Sequence, residues 1–530
     1  MALGRSRVRR GWALALALAV VGVACTSGGD DRAAPPSSTA TSLIEGGTLR
    51  LGIGGDLVVD PVEASLASSS DQMVLDLLHD GLTRLDAAGE PRPALASAWR
   101  SNDAQTAFRF TLRPDAKFTS GRSITPADVI ASWERVMAAG ERSLSALALE
   151  AVTGFGPFVR KEAAHVVGLS APDAHTVRVE LSTPLAALPV VLASPIFGVV
   201  DATSVAGDDL GALDLSGAWS VTAATSDRVA LGRRPTAAGH LDAIELRPFA
   251  DGGVAYDAFE TGTVDWAPVP TSRFQQAIRD HGGDAFAPFQ AEVFFGLNVK
   301  SPNLGKTAFR QAIVAAIDRE AIVEEIYPDL ADPLATLVPA GIEGADPPEC
   351  DGCTFDPEAA AAKVKAAYPK GDVPVVHIDF DTSEDQQGMA ELVAADLKAV
   401  GIPTKLRPKS RDDYERFVVS GDQELFSFGW IGAYRSPDAF LAPVFGSVAN
   451  DNVTGYGSPQ VDLLLAGARQ SDEAARLAEL WTRAETLILD DAAVVPIAQF
   501  RTQVVVAGRV RGLVHAVDGT VDWAAVQVTG

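Results

Sequence analysis

The chain has 530 residues, of which 47% are hydrophobic and 21% charged, and its formal net charge is −25. This length and composition predict a globular protein of two or three domains with a sizeable buried core. The acidic balance argues against a nucleic-acid partner, because such a partner needs clustered Lys and Arg to neutralise its phosphates.

The N-terminal segment has the features of an export signal. A basic start is followed by an apolar stretch that is too short for a permanent membrane span, and Cys25 comes directly after it. This arrangement resembles a bacterial lipoprotein cleavage site, which implies a signal peptide over residues 1–24 and a diacylglycerol on Cys25. Gly22 departs from that pattern, since such sites usually carry Leu or a similar residue there. A signal peptide that leaves Cys25 unmodified is the alternative, and Arg9-Arg10 fits a twin-arginine signal poorly.

Residues 25–42 are rich in Pro, Ser, Thr and Gly and have no periodicity, which predicts a flexible tether. A lipid followed by a tether places the folded part at the outer face of the cytoplasmic membrane.

The folded part opens with an alternating strand over Gly47–Ile53. The glycines that follow lack the spacing of a dinucleotide site. A helix is predicted over Asp71–Leu78 and a strand over Phe108–Leu112. Thr125 is the expected N-cap of the next helix, since Thr is a favoured residue there. Asp128 supports this start, because it lies in the first turn beside the positive end of the helix dipole.

Several motifs in this order resemble the bacterial extracellular solute-binding proteins of family 5, the oligopeptide-, dipeptide- and nickel-type receptors of ABC importers. The matching residues in the N-terminal half are Pro93-Ala94-Leu95-Ala96, Trp99, Leu112–Phe118, Gly121, Thr125, Asp128-Val129, Ser132 and Ala171–Leu188. Further along, they are Tyr256–Pro270, Asn298, Arg310, Ala312, Ala316–Arg319 and Thr354–Pro357. The resemblance covers residues 45–510.

The resemblance implies an α/β fold of the periplasmic-binding-protein type II, with two lobes, a hinge and an extra inserted domain. Lobe I is expected over 43–82, 190–290 and 491–530, the inserted domain over 83–189, and lobe II over 291–490. Ligand would bind between the lobes, and hinge closure would follow.

The stretch Ser427–Ser447 is the predicted binding loop. An apolar strand breaks at Gly429-Trp430 into a loop of small residues, and Pro437 restarts the chain as a short apolar helix. In peptide-binding members of the resembled family, an Asp just after Gly-Trp pairs with the peptide's α-ammonium. Ala433 stands there, so either another acid such as Asp438 replaces it or the ligand has no free amine.

The remaining predicted ligand contacts follow from this loop and from one loop of lobe I. Arg435 offers a guanidinium fork to a carboxylate or phosphate, with an exposed surface Arg as the alternative. By the resemblance, Trp430 forms a flat wall over the ligand, and Gly432 and Tyr434 line the pocket. The hydroxyls of Ser68, Ser69 and Ser70 are expected to line it from the other lobe.

Cys350 and Cys353 are the other two cysteines, and a local disulfide is favoured over a redox pair outside the cell. The octapeptides Gly262–Val269 and Gly519–Val526 are nearly identical and are predicted to form the same turn and strand.

No catalytic or metal-binding motif is present, and the seven His residues are dispersed. The resemblance implies a monomeric, cofactor-free binding protein, not an enzyme, that delivers peptides to an ABC permease and its ATPase subunits. The alternatives are a receptor for an anionic solute, a glycoside or a chelate, and a sensor or cell-envelope lipoprotein that does not serve import.

Overall fold

A computed structural model of the chain describes residues 43–44, 46–140, 143–206, 209–282, 286–344, 346–348 and 350–529. The predicted signal peptide, the lipidated Cys25 and the tether up to residue 42 lie outside the described residues.

The strands are numbered in chain order. They are β1 (Leu43–Ile44), β2 (Thr48–Gly54), β3 (Thr83–Leu85), β4 (Pro91–Pro93), β5 (Ala96–Ser101), β6 (Ala107–Leu112), β7 (Leu169–Ser170), β8 (Thr176–Glu180), β9 (Trp219–Thr225), β10 (Arg228–Arg233), β11 (Ala243–Phe249), β12 (Trp266–Pro268), β13 (Pro288–Leu297), β14 (Ala331–Pro333), β15 (Val376–Asp381), β16 (Thr404–Lys409), β17 (Leu425–Ile431), β18 (Val494–Arg501), β19 (Val504–Val506), β20 (Val510–Arg511) and β21 (Gln527–Thr529).

The α-helices are numbered in the same way. They are α1 (Ser69–Leu78), α2 (Pro126–Met137), α3 (Leu144–Leu147), α4 (Phe155–Val159), α5 (Leu188–Val191), α6 (Ala202–Val205), α7 (Gly252–Glu260), α8 (Phe274–His281), α9 (Thr307–Ala316), α10 (Arg319–Ile326), α11 (Pro357–Ala367), α12 (Glu384–Ala399), α13 (Arg411–Val418), α14 (Asp438–Phe445), α15 (Pro459–Gln470) and α16 (Ala474–Asp490).

The first lobe is built on a mixed sheet with the strand order β19-β12-β2-β11-β10-β9. Strand β2 lies inside it and pairs in parallel with both β11 and β12. Leu49 and Leu51 of β2 are fully buried, as the predicted alternation requires. The predicted strand at the start of the fold is confirmed.

The second lobe is built on a sheet with the order β14-β18-β13-β17-β15-β16. Strand β13 is antiparallel to both β17 and β18 and is buried along almost its whole length. Helices cover both faces of such a strand, which explains why it reads as an apolar run with few polar positions.

The insert is a smaller layer made by the sheet β5-β6-β8-β7 with helix α2 packed against it. Thr125 and Asp128 form a reciprocal capping box at the start of α2, so the predicted helix start is confirmed. The buried side chains of the insert and those of the second lobe belong to one continuous core.

Along the described chain, two segments connect the lobes side by side. One enters β13 through Ala287, and the other leaves β18 through Thr502, whose backbone N–H donates to the Ala287 carbonyl at 2.7 Å. This position corrects the predicted domain boundary at residue 491. Strand β18 pairs with β13 in the second lobe, so the chain returns to the first lobe only after Arg501.

The repeated octapeptide folds in two different ways, so the prediction of a common structure is wrong. In the first copy Trp266 begins β12 and the preceding Asp265 is buried between Arg50 and Arg509. The second copy forms a bridge and a turn instead of a strand, and its Asp522 is exposed. Tertiary partners decide the difference, because the local sequence is almost the same.

No helix in the described ranges is long and apolar enough to cross a membrane.

Glu485 on α16 is a fully buried carboxyl in the core of the second lobe. Its Oε1 accepts the backbone N–H groups of Leu337 and Val338, while Oε2 has no partner. Burial raises the pKa of Glu485 to about 7 despite these two bonds. The folded protein therefore keeps this carboxyl protonated at mildly acid pH.

Glu485→Gln should flatten the pH dependence of stability. Because the folded pKa is raised, the stabilising contribution of protonated Glu485 is complete below pH 4.5 and is lost as pH rises to about 7. The neutral amide should make the variant more stable than the wild type above pH 7, by up to about 3 kcal/mol. Urea unfolding from pH 4.5 to 8 measures this difference. Glu391→Gln, at an exposed position of α12, is the control. Equal slopes for the wild type and Glu485→Gln would contradict the expectation.

Candidate ligand-binding site

The predicted binding loop runs from the end of β17 to the start of α14. Trp430 is buried and its indole N–H donates to the carbonyl of Ala439 at 2.7 Å, which closes the loop on itself. Gly432 allows the close approach of the loop to α14, because a Cβ there would lie 2.6 Å from the ring of Phe440. The predicted strand and short helix are confirmed, but the strand continues through Gly429-Trp430 to Ile431 and does not break there.

Asp438 fixes the far end of this loop. Its side chain is fully buried and accepts two hydrogen bonds from Arg469, at 2.7 and 3.0 Å, and one from the hydroxyl of Tyr434 at 2.7 Å. Burial and the charge of Asp438 raise the pKa of Tyr434 well above its usual value, so the hydroxyl stays protonated and donates. The prediction that Asp438 receives a ligand amine is therefore corrected, because both of its carboxylate oxygens already accept hydrogen bonds from Arg469 or Tyr434.

Arg435 is also paired within the protein. Its guanidinium makes a two-point contact with the carboxylate of Glu343, and its side chain is only 9% exposed. Glu343 in turn lies against Gly89, in the turn between β3 and β4, where a Cβ would approach the carboxylate to 2.6 Å. The predicted role of Arg435 as an anion ligand is corrected accordingly, because its fork is occupied.

Two cavities border this loop, and Ala433 and Tyr434 line both of them. The hinge cavity lies where the lobes meet and has about 250 Å³ of empty space, which includes space open to solvent. Its described lining is Gln72, Leu85, Val190, Ser194, Pro195, Gln290, Ala433, Tyr434, Arg435 and Asp518.

The insert cavity is larger, at about 560 Å³, part of which is open to solvent. It lies between the insert and the second lobe. Its described lining is Leu147, Ala148, Glu150, Ala151, Leu185, Trp430, Ile431, Ala433, Tyr434, Ala439, Pro443, Asn450, Asp451 and Arg469. The two sides are tied together beside it, since the backbone N–H of Ala186 donates to the carbonyl of Arg469 at 2.8 Å.

The three serines predicted to contact ligand lie at the start of α1. Ser68 caps the helix, and its hydroxyl accepts the backbone N–H of Asp71 at 3.1 Å, while Ser69 and Ser70 form the first turn. None of them is among the described residues that line the two cavities. Gln72, which lies one turn further along α1, lines the hinge cavity.

The sequence analysis missed Gln72, Gln290, Asp518, Arg469 and Glu343. Gln290 did carry a local signal, because it and Glu292 are the polar side chains of an otherwise apolar strand β13. The others come from distant parts of the chain and are brought to the loop by the fold alone.

Cys350 and Cys353 form a disulfide in the segment that leads into α11. Within the described ranges, no group of three or more His, Cys, Asp or Glu side chains is placed to hold a metal ion.

Two lobes joined by paired crossing segments, with cavities at their junction, define a two-lobed solute-binding protein. The model of the bacterial extracellular solute-binding proteins, family 5 Middle, matches residues 90–452, and the chain belongs to this family.

Curated relatives and solved structures resemble most of the chain. The periplasmic oligopeptide-binding protein OppA of Escherichia coli is 26% identical over 447 residues, covering 79% of this chain and 81% of OppA. The periplasmic murein peptide-binding protein MppA of the same organism is 24% identical over 464 residues, covering 83% and 85%. A solved MppA structure, in an unliganded open form, has a TM-score of 0.82 at 21% identity and covers 93% of this chain and 99% of that one.

Asp438→Asn should lower the free energy of unfolding by about 3–5 kcal/mol, because it leaves the Arg469 guanidinium, only 23% exposed, without its counter-charge. Urea unfolding at pH 7 measures the change. Asp412→Asn, on the exposed face of α13, should stay within about 0.5 kcal/mol of the wild type.

The double variant Asp438→Asn/Arg469→Met should lose less stability than the two single changes added together, because it removes both charges at once. A loss below 1 kcal/mol for Asp438→Asn alone would contradict the assigned pairing.

Proposed function

We propose that this chain captures peptides between its two lobes and delivers them to a membrane permease driven by ATPase subunits. The observation that carries the proposal is the position of the Trp430–Arg435 loop, which borders both cavities at the junction of the lobes and the insert. The names of OppA and MppA, which denote binding of oligopeptides and murein peptides, support a peptide as the ligand class.

The alternative of an anionic solute loses its main argument. That reading depended on a free guanidinium at Arg435, and this side chain is paired with Glu343. A ligand carboxylate would have to displace Glu343 and leave that acid without its partner. The cavity linings instead combine an aromatic wall, apolar side chains and acidic groups, a mixture suited to the varied side chains and charged amino end of a peptide.

Binding would be coupled to closure. The two segments that connect the lobes, at Ala287 and Thr502, lie side by side, so a small rotation about them changes the width of the cleft without disturbing either sheet. Glu343 also contacts the turn at Gly89 between β3 and β4, and this contact would hold that turn against the second lobe.

We also propose that the protein acts as a monomer held by a lipid on Cys25 at the outer face of the cytoplasmic membrane. The tether over residues 25–42 would let it reach its permease.

Ala433→Phe should abolish ligand capture, because Ala433 lines both cavities and a ring there fills the space between them. With the full chain exported and purified in detergent, a thermal-shift screen compares tripeptides with disaccharides, citrate and iron chelates. The wild type should be stabilised by tripeptides, and Ala433→Phe should lose at least about 100-fold in peptide affinity.

Val448→Phe is the matched control, since Val448 is 98% exposed and lies outside both linings. Stabilisation by chelates, sugars or citrate but by none of the peptides would contradict the proposed ligand class.

A further inference from the structure

We propose that Asp518 and Gln290 bind the terminal ammonium group of the ligand in the hinge cavity. This inference rests on the proposed capture of peptides and assigns the place where their amino end is held. Both residues line the cavity, and they come from opposite sides of the junction: Gln290 from β13 of the second lobe and Asp518 from the C-terminal turn packed against α1.

Gln290 presents a hydrogen-bond acceptor that the protein leaves unused. The residue is 3% exposed, and its amide N–H donates to the carbonyl of Gly432 at 2.8 Å, which fixes the orientation of the side chain. Its backbone N–H donates to the Val517 carbonyl at 2.9 Å. Oε1 is left buried with no partner. A buried acceptor of this kind is costly unless something donates to it.

Asp518 supplies the negative charge. It is 8% exposed, and one carboxylate oxygen, Oδ1, accepts both the backbone N–H and the hydroxyl of Thr520, at 3.1 and 2.7 Å. No described group donates to the other oxygen. The neighbouring Asp76 reflects this uncompensated charge: burial and, to a lesser extent, the charge of Asp518 raise its pKa to about 7.

The charges of the described lining select a cation. Arg435 is the cationic side chain of this lining, and Glu343 already neutralises it. Asp518 therefore leaves the hinge cavity with a net negative charge and Gln290 adds an acceptor, while the Ser194 hydroxyl can turn to accept as well. A primary ammonium offers three N–H donors and a positive charge, which matches this set.

The size of the hinge cavity agrees with an end group and not with a whole peptide. Water-sized groups can occupy only about 10 Å³ of the hinge cavity, which is room for one ammonium, while the shared border at Ala433 and Tyr434 leads from it toward the larger insert cavity. The ligand would thus lie with its amino end at the hinge and its later residues between the insert and the second lobe.

The test uses the full chain in detergent and calorimetric titration with trialanine, with the best tripeptide of the screen, and with the N-acetylated form of each. The wild type should bind the free-amine peptides at least 10-fold more tightly than the acetylated ones. Asp518→Asn should weaken binding of the free-amine forms by about 10- to 100-fold and remove this preference. The Asn carbonyl can still accept from Thr520, so the turn is retained.

Asp522→Asn is the control, because Asp522 is exposed in the same C-terminal segment and lies outside the hinge cavity. Adding Ala433→Asp to Asp518→Asn returns a carboxylate to the same cavity. The double variant should bind the free-amine peptides at least 10-fold more tightly than Asp518→Asn alone. A purely structural role of Asp518 would not predict this rescue.

Tight peptide binding that is unchanged in Asp518→Asn would overturn the assignment of the ammonium while leaving the proposed function intact. Absence of binding to every peptide tested would overturn the proposed function, and this inference with it.

Discussion

A carboxylate with no access to water must find its partners inside the protein, and Asp438 imposes this requirement on the whole binding loop. Its charge is balanced by Arg469 from α15 and by the hydroxyl of Tyr434. Because Arg469 also accepts a backbone hydrogen bond from Ala186 of the insert, one buried ion pair positions the loop, α15 and the edge of the insert together. The positions of Trp430 and of Ala433 and Tyr434, which line both cavities, depend on this arrangement.

The two arginines near the loop differ in a way that matters for ligand choice. Arg469 is bound to a fully buried acid of its own lobe, so it is part of the scaffold. The partner of Arg435, Glu343, is 39% exposed and lies against the turn at Gly89 between β3 and β4. A paired arginine of this kind can hold two segments together without touching ligand, because its guanidinium already has a carboxylate partner.

Local sequence patterns predicted much of the fold. Alternation, capping residues and glycines act over a few neighbouring positions. They account for the strand at Leu49–Leu51, the capped start of α2 and the strand-loop-helix around Trp430.

The partners in the site could not be predicted in this way. Asp438 and Arg469 are 31 positions apart, and Gln290 meets the turn before Asp518 only because β13 and the C-terminal segment cross at the junction. The repeated octapeptide makes the same point, since nearly identical local sequence gave a buried strand at Trp266 and a half-buried turn at Trp523.

The C-terminal segment has a consequence for the order of folding. Its last strand, β21, pairs with β1 at the start of the described chain, and Val521 and Trp523 donate hydrogen bonds to Asp76 on α1. Strand β2, central in the first lobe, also takes its neighbours from the middle of the chain, β11 and β12. The first lobe is thus completed by residues that follow Thr502, whereas all six strands described for the sheet of the second lobe precede it. The strands of the second lobe can therefore pair before the segment after Thr502 is available, but the first lobe is complete only once that segment has joined it.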